Sequence, residues 1–498
     1  MTIIPSGSFD PTRTPALFRS VFPSVMLPMF LAVSDQTIVA SALPAMAATL
    51  GDVERVSWVV ISYLVAATIA APVYGYLADV FGRRKLMLIA LALYIVASAL
   101  CALAPSIALL AAARALQGFG GGGLMSLSQA LIGEVVPPRQ RGHYQGYLAT
   151  VATFSSAFGP VAGGFLTEHF GWSSIFYINI PLGLFAVLMV FRLQARPGTR
   201  HEKWSFDTPG LFFFIAFIAP ILIALEQLRR FEQDSTTAAI ILACIAFVSL
   251  ILLLRRERRA HSPLLPMELL TQPTIWRANT LAACHGAALT ALVTFLPIYL
   301  RVVHGFSASQ TGLMLLPLSL GIGIGAILTG RLVTRTGNTM IFPSWGLIGC
   351  TIGFFIFAMW NAQMSQLQMI ITLSFSALCM GTVMTVVQVT IQSAAGRKSL
   401  GAAAASVQFA RTVGAAFGTA FLGFILFVTL AVTDQQAAQT FGQLVNAGTS
   451  ALDALPQARR AVVETEIAFA FRLAFLLIPL LTAAAAVLAW TCLLYTSD

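Results

Sequence analysis

Fourteen apolar runs, each about as long as a membrane is thick, leave this chain few ways to fold. They cover residues 20–45, 57–78, 86–104, 107–135, 144–167, 174–194, 209–227, 237–254, 278–299, 309–330, 340–360, 367–391, 401–431 and 467–494, with short polar loops between most of them. A helix needs about 20 apolar residues to cross the hydrocarbon, and in lipid the backbone must satisfy its own polar groups. Alternating ten-residue strands are absent, which excludes a β-barrel. Only 10% of the 498 residues are charged and 58% are hydrophobic, against about 25% charged in soluble domains. The sequence therefore predicts an all-α integral membrane protein with 14 transmembrane helices.

Lys and Arg set the orientation. With the N-terminus in the cytoplasm, every basic cluster falls inside, including Arg83-Arg84-Lys85 and Arg255-Arg256-Glu257-Arg258-Arg259. Arg55, Arg229, Arg230, Arg301, Arg459, Arg460 and Arg472 fall outside, and Arg114 and Arg411 lie within spans. The net charge of +10 thus reads as a topology signal, with both termini cytoplasmic. Nucleic acid is excluded as a partner because the charge is scattered over separate loops. Residues 1–19 are polar, so no cleavable signal peptide is expected. The six cysteines are isolated and read as packing residues rather than disulfides or metal ligands.

The chain repeats itself. Gly75-Tyr76-Leu77 with Gly82 matches Gly330-Arg331-Leu332 with Gly337. Ala157-Phe158-Gly159 with Gly164 matches Ala416-Phe417-Gly418 with Gly423, and Leu43-Pro44 matches Leu296-Pro297. The offsets are all near 255 residues, whereas six spans and their loops need only about 175 by length. Two parallel six-span copies with an 80-residue insert between them follow, in roughly the way transporter halves repeat. The expected plan is 6 + 2 + 6: a cytoplasmic segment 1–19, a bundle 20–194, two inserted helices with linkers 195–277, and a bundle 278–494 with an external loop 432–466. That loop is amphipathic in places and suits a periplasmic adaptor or, equally, a helix lying on the membrane surface. The closing residues 492–498 resemble translated sequencing-adapter read-through, and on that reading they are a non-native tail.

Asp35 is the chief site candidate. A carboxylate in the first apolar run is costly at membrane depth and marks an ion, proton or ligand site by default. It stands about 22 Å along its helix from the cytoplasmic end, near the midplane. Burial favours the protonated form of a carboxyl group, which suits an acid to proton exchange. Aligned on Leu43-Pro44, its counterpart in the second copy is Ala288, so the fold does not require the acid. Arg114 is always charged and needs a partner or water; a coupling role and a structural ion pair are both open to it. Gln117, Glu134, Glu226, His285 and Arg411 are weaker candidates: Glu134 could snorkel to water, His285 could be a bonded core histidine, and Arg411 reads first as an interhelical partner. Phe154, Phe158, Phe213, Met314, Met380 and Met384 could line an apolar pocket. Gly118 to Gly123 fits a dinucleotide-binding string, but inside an apolar span the match is spurious.

Several stretches resemble the major facilitator superfamily. Gly75-Tyr76-Leu77-Ala78-Asp79-Val80-Phe81-Gly82-Arg83-Arg84-Lys85 is similar to its cytoplasmic loop signature, with Val80 where the pattern prefers Arg. There Asp79 could pair with Arg83 or face a helix N-terminus of the other half, forming a gate. Leu110, Arg114, Gln117, Gly118 and Gly120 resemble a second motif, for which the resemblance implies proton coupling. Gly159-Pro160-Val161-Ala162-Gly163-Gly164 resembles the antiporter motif of exporters. Asp35-Gln36-Thr37-Ile38-Val39-Ala40-Ser41-Ala42-Leu43-Pro44 is similar to the signature of the fourteen-span drug:proton antiporters, the EmrB/QacA type, with Ser34 in place of Leu and Ala40 in place of Asn. Trp172, Ile175-Phe176-Tyr177-Ile178-Asn179-Ile180-Pro181-Leu182-Gly183, Phe206-Asp207 and Gly210 resemble the same branch. The resemblance implies an antiporter of the bacterial inner membrane. It would export lipophilic, often cationic compounds by alternating access, driven by the proton gradient and without cofactor or metal. Export of a defined metabolite or siderophore is the alternative on the same fold. A membrane enzyme is remote, since no HExxH, GxSxG or clustered acid and histidine pattern occurs.

Overall fold

The computed structural model describes residues 14–51, 55–137, 140–193, 207–228, 233–260, 263, 267–306, 308–396, 399–434, 441 and 457–496. Seventeen helices occur among them. The first seven are α1 (Thr14–Leu50), α2 (Trp58–Phe81), α3 (Arg83–Ala102), α4 (Ile107–Val135), α5 (Arg141–Phe170), α6 (Ser174–Tyr177) and α7 (Asn179–Phe191). Then come α8 (Thr208–Leu228), α9 (Gln233–Glu257) and the short α10 (Met267–Leu270). The last seven are α11 (Pro273–Val302), α12 (Ala308–Thr336), α13 (Ile341–Trp360), α14 (Gln366–Ala395), α15 (Leu400–Thr433), α16 (Gln457–Phe475) and α17 (Leu477–Thr496).

Among the described residues, thirteen helical segments are long and apolar enough to cross a membrane, with α6–α7 and α16–α17 each supplying one crossing. α4 makes the fourteenth. It has 29 residues, but its glycines, Arg114 and Gln117 lower its hydropathy. The chain is an all-helical integral membrane protein, and each expected span lies on a helix. The last one differs at its start: α16 begins at Gln457, ten residues before the expected boundary. Residues 435–440 and 442–456 of the expected outer loop lie outside the described residues, as do 1–13, the 194–206 linker and the last two residues of the expected tail.

Helix contacts restate the sequence repeat. α1 packs on α4, α5 and α7, α2 on α4, and α3 on α4 and α7. In the second copy α11 packs on α14, α15 and α17, α12 on α14, and α13 on α14 and α17. α1 to α5 thus have counterparts in α11 to α15 about 255 residues later, and α7 has its counterpart in α17 about 300 residues later. Gly82 joins α2 to α3 at φ +90° and Gly337 joins α12 to α13 at φ +76°, a region costly for residues with a Cβ. The inserted pair α8–α9 packs together, and α8 lies across the seam between α2 and α15. There Phe214, Ile218 and Leu222 form one apolar cluster with Ile69, Val73, Phe409 and Val413. Asp207 opens α8, accepting from the Gly210 N–H at 3.1 Å and from Arg256 of α9 at 3.0 Å.

Small residues let the helices touch. A Cβ on Gly118 or Gly122 of α4 would collide with the Tyr63 or Ala67 carbonyl of α2, so the glycine string that mimics a nucleotide loop is a packing seam.

Candidate functional site

Asp35 sits at the meeting point of five helices. Its side chain is fully buried, and Arg114 of α4 pairs with Asp35 Oδ2. Gln117, one turn further along α4, donates to Asp35 Oδ1 at 3.1 Å and to Ser98 Oγ of α3 at 2.9 Å. Asn179, the first residue of α7, donates to Asp35 Oδ1 at 3.0 Å. Arg114 also donates to Gln117 Oε1 at 2.7 Å and to the Val59 carbonyl at 3.2 Å. Its guanidinium lies over the Tyr63 ring, 4.2 Å from the centroid. The Cys101 thiol faces Gln117 Oε1 at 3.4 Å, so this cysteine touches the network and does more than fill space. The carboxylate's charge is matched, and both its oxygens accept hydrogen bonds. This is what a buried ion pair requires.

Arg114 and Gln117 are brought together with Asp35, as their i, i+3 spacing on one helix permits. Ser98 and Tyr63 carry no signal in the sequence, and Asn179 enters it only within the family-like run 175–183, without a site role. Asn179 left a faint signal as a lone amide inside the apolar stretch 175–191.

α1 is pinned beside this network by α5. Gly159 meets Thr37 Oγ1, while a Cβ on Gly163 would lie 2.5 Å from the Ile38 carbonyl oxygen. Gly164 faces open space, and Pro160 is exposed. Within this motif, only Gly159 and Gly163 make the close approach.

A second cluster joins the two halves at the end carrying the Arg83–Lys85 loop. Asp79 of α2 accepts from the Gly401 N–H at 3.1 Å and from the Ala402 N–H at 3.2 Å. It therefore caps α15, where a negative charge is favoured. Arg83 bonds Asp79 at 2.6 Å and also pairs with Glu134. Glu134 therefore belongs to this cluster rather than extending alone to water, and one arginine serves two acids although Val80 supplies none. Arg84 donates to the Phe191 carbonyl at 2.8 Å. Gly75 packs on α15, where a Cβ would come within 2.7 Å of the Gly401 carbonyl oxygen. Beside it α5 and α12 touch through Gly142 and Gly330, and the His143 N–H donates to Thr334 Oγ1 at 3.2 Å.

Between the halves lies a cavity of about 80 Å³ lined by α1, α4, α5, α11, α12, α14 and α15. His285 and Arg411 face it; Asp35 and Arg114 do not. His285 lies near the Met380 carbonyl, yet neither ring nitrogen makes a hydrogen bond of ordinary geometry. Arg411 donates to Gln408 on its own helix at 3.1 Å, so its bond does not cross to another helix. Of the six Phe and Met pocket candidates, only Met384 lines the cavity. The Glu226 side chain lies outside the described residues. Among the described residues, no three His, Cys, Asp or Glu side chains stand together as a metal site.

Comparison with known proteins follows the same lines. The sequence profile described as Major Facilitator Superfamily matches residues 25–419. An uncharacterized MFS-type transporter of Mycobacterium tuberculosis is 34% identical over 421 residues. That match covers 84% of this chain and 61% of the relative, so the chain spans less than two thirds of the relative's length. The multidrug transporter protein MdtP of Bacillus subtilis is 31% identical over 408 residues, covering 81% of this chain and 74% of MdtP. The solved structure of the proton:xylose symporter XylE superposes with a TM-score of 0.63 at 12% identity, covering 96% of each chain. At that identity the likeness concerns the fold.

Proposed function

Because the chain belongs to the Major Facilitator Superfamily, whose members are multi-pass membrane transporters, we propose that it is a proton-coupled efflux antiporter of the fourteen-span drug:proton branch. It would work in a bacterial inner membrane with both termini inside. The observation that carries this reading is the Asp35 network. An acid buried at mid-membrane, with a permanent cation as its partner, can change charge only if a proton comes or goes. Such a group links protonation to a rearrangement of α1, α3, α4 and α7. The neighbouring Gly159–Gly163 seam ties α1 to α5, and α5 forms part of the contact between halves. The Asp79–α15 cap supports alternating access, since it can exist only when the halves are closed at the basic-loop end. The multidrug transporter relative MdtP supports drugs as the class of cargo.

The test is counter-transport by purified protein in proteoliposomes with an imposed pH gradient. Asp35→Asn should abolish pH-driven efflux of a dye that the wild type exports, while expression and helicity stay normal. Efflux at the wild-type rate in Asp35→Asn would remove Asp35 from coupling and sink the proposal.

A further inference from the structure

The family resemblance points to cations, but the wall of the central cavity is made for the opposite charge. Asp35 is neutralised by Arg114 and turned away into the first bundle. No acidic side chain among the described residues lines the cavity, whereas Arg411 and His285 do. Among the described residues Arg411 has no carboxylate within ion-pair distance, and its Nε makes no hydrogen bond. Around it Gln388 leaves both amide atoms unbonded, and Gln145 its Nε2. Both glutamines are buried, at 3% and 4% exposure. Buried polar atoms without partners each cost about 1–3 kcal/mol and call for a ligand or ordered water. The rest of the wall is apolar and includes Met29, Met125 and Met384, whose thioethers adapt to different shapes.

We propose that this cavity binds the carboxylate or sulfonate of a lipophilic organic anion, with Arg411 as its charged partner and Gln388 and Gln145 as neutral donors. The inference rests on the transporter reading above and replaces the expected cationic cargo. Arg411 repels a cation at short range in a medium far less polarisable than water. A planar guanidinium suits carboxylate and sulfonate oxygens. At about 80 Å³ the cavity is smaller than the roughly 300–1,000 Å³ that holds a whole drug-sized ligand. In this closed arrangement it fits the acidic head group, and the apolar body requires the halves to part.

The experiment uses the full chain in lipid nanodiscs, with empty nanodiscs as the blank. Two probes of opposite charge are titrated, 8-anilinonaphthalene-1-sulfonate and tetraphenylphosphonium. Wild type should bind the sulfonate in preference. Arg411→Gln should weaken that binding at least about tenfold, the usual result of removing one partner of a buried charge pair. Arg411→Lys should keep most of it, and Arg411→Glu should bind the phosphonium instead. Thermal melts verify that each variant is folded. Preference of the wild type for tetraphenylphosphonium, binding of neither probe above the blank, or unchanged sulfonate binding in Arg411→Gln would each overturn the proposal. Flux in proteoliposomes separates this failure from that of the efflux reading. Proton-driven export of tetraphenylphosphonium, equal in wild type and Arg411→Gln, defeats the anion site alone. Sulfonate binding through Arg411 with no pH-driven flux defeats the antiporter alone.

Discussion

The two bundles pack alike and place their charges in opposite ways. In the first, α5 meets α1 through Gly159 against Thr37 and Ile38; in the second, α15 meets α11 through Gly418 against Ala287. Those glycines are equivalent in the repeat, and on the Leu43-Pro44 alignment Asp35 falls opposite Ala288. The first bundle holds a cation and an anion in one bonded network and keeps them off the cavity. The second has His285, Gln388 and Arg411 on the cavity wall with polar atoms left open. A compensated charge can be buried for coupling, whereas an uncompensated one at a cavity wall is available to a ligand. The shared helix packing therefore holds two chemistries, and either can be altered without the other.

The contrast breaks most visibly at the two arginines. Arg114→Met leaves Asp35 buried without its cation and should cost about 3–5 kcal/mol of stability. Arg411→Met removes no ion pair and should change stability by no more than about 1 kcal/mol in either direction. Thermal unfolding of the two variants in the same nanodiscs checks this. Equal losses would mean that Arg411 is also a structural residue and that the two bundles do not differ in this way. Replacing both partners, Asp35→Leu with Arg114→Met, should recover much of the lost stability, because an apolar pair of similar volume is often neutral in place of a buried ion pair.

The shared packing predicts a smaller, symmetric effect. Gly159→Ala and Gly418→Ala should each destabilise by about 1–3 kcal/mol, because the added methyl has no room. Gly164→Ala adds its methyl to open space and should stay within about 0.5 kcal/mol. Only Gly159→Ala should also slow pH-driven efflux, since only that seam adjoins the acid. A matched loss of transport in Gly418→Ala would show that the seam serves the motion of both halves rather than the proton.

Much of this was legible in the sequence, for identifiable reasons. Span positions follow from the length of apolar runs, and the repeat from matched glycines that only a tight turn or close approach needs, as at Gly82 and Gly337. Asp79 facing a helix N-terminus of the other half could be anticipated because its charge and its place at a helix end leave few partners. Asn179, Ser98 and Tyr63 could not be found this way. They lie on different helices, and only packing brings them to Asp35. For Glu134 the sequence leaves water as an open partner, because its distance from Arg83 along the chain hides their proximity across the helix ends. The direction in which Asp35 points was also hidden. A single polar residue in an apolar run gives depth, but its facing depends on which neighbours are already polar. The cavity wall is a convergence of seven helices and has no sequence signature beyond scattered amides.

The smallest expected effect tests the open side of the comparison. Gln388 has neither amide atom bonded, so Gln388→Leu removes a buried polar group without breaking a bond. The lost van der Waals contact is minor because the volumes are similar, and burial of the new methyl groups acts in favour. Stability should therefore stay within about 0.5 kcal/mol of wild type or rise slightly. Ligand binding should respond differently, because the amide donor near Arg411 is gone. A melting temperature that holds while sulfonate affinity falls by about tenfold to a hundredfold, the worth of one hydrogen bond to a charged group, identifies Gln388 as a residue kept for the ligand. A substantial fall in melting temperature would instead mean that ordered water bonds the amide in the empty protein, and that this part of the second bundle is as internally satisfied as the Asp35 network of the first.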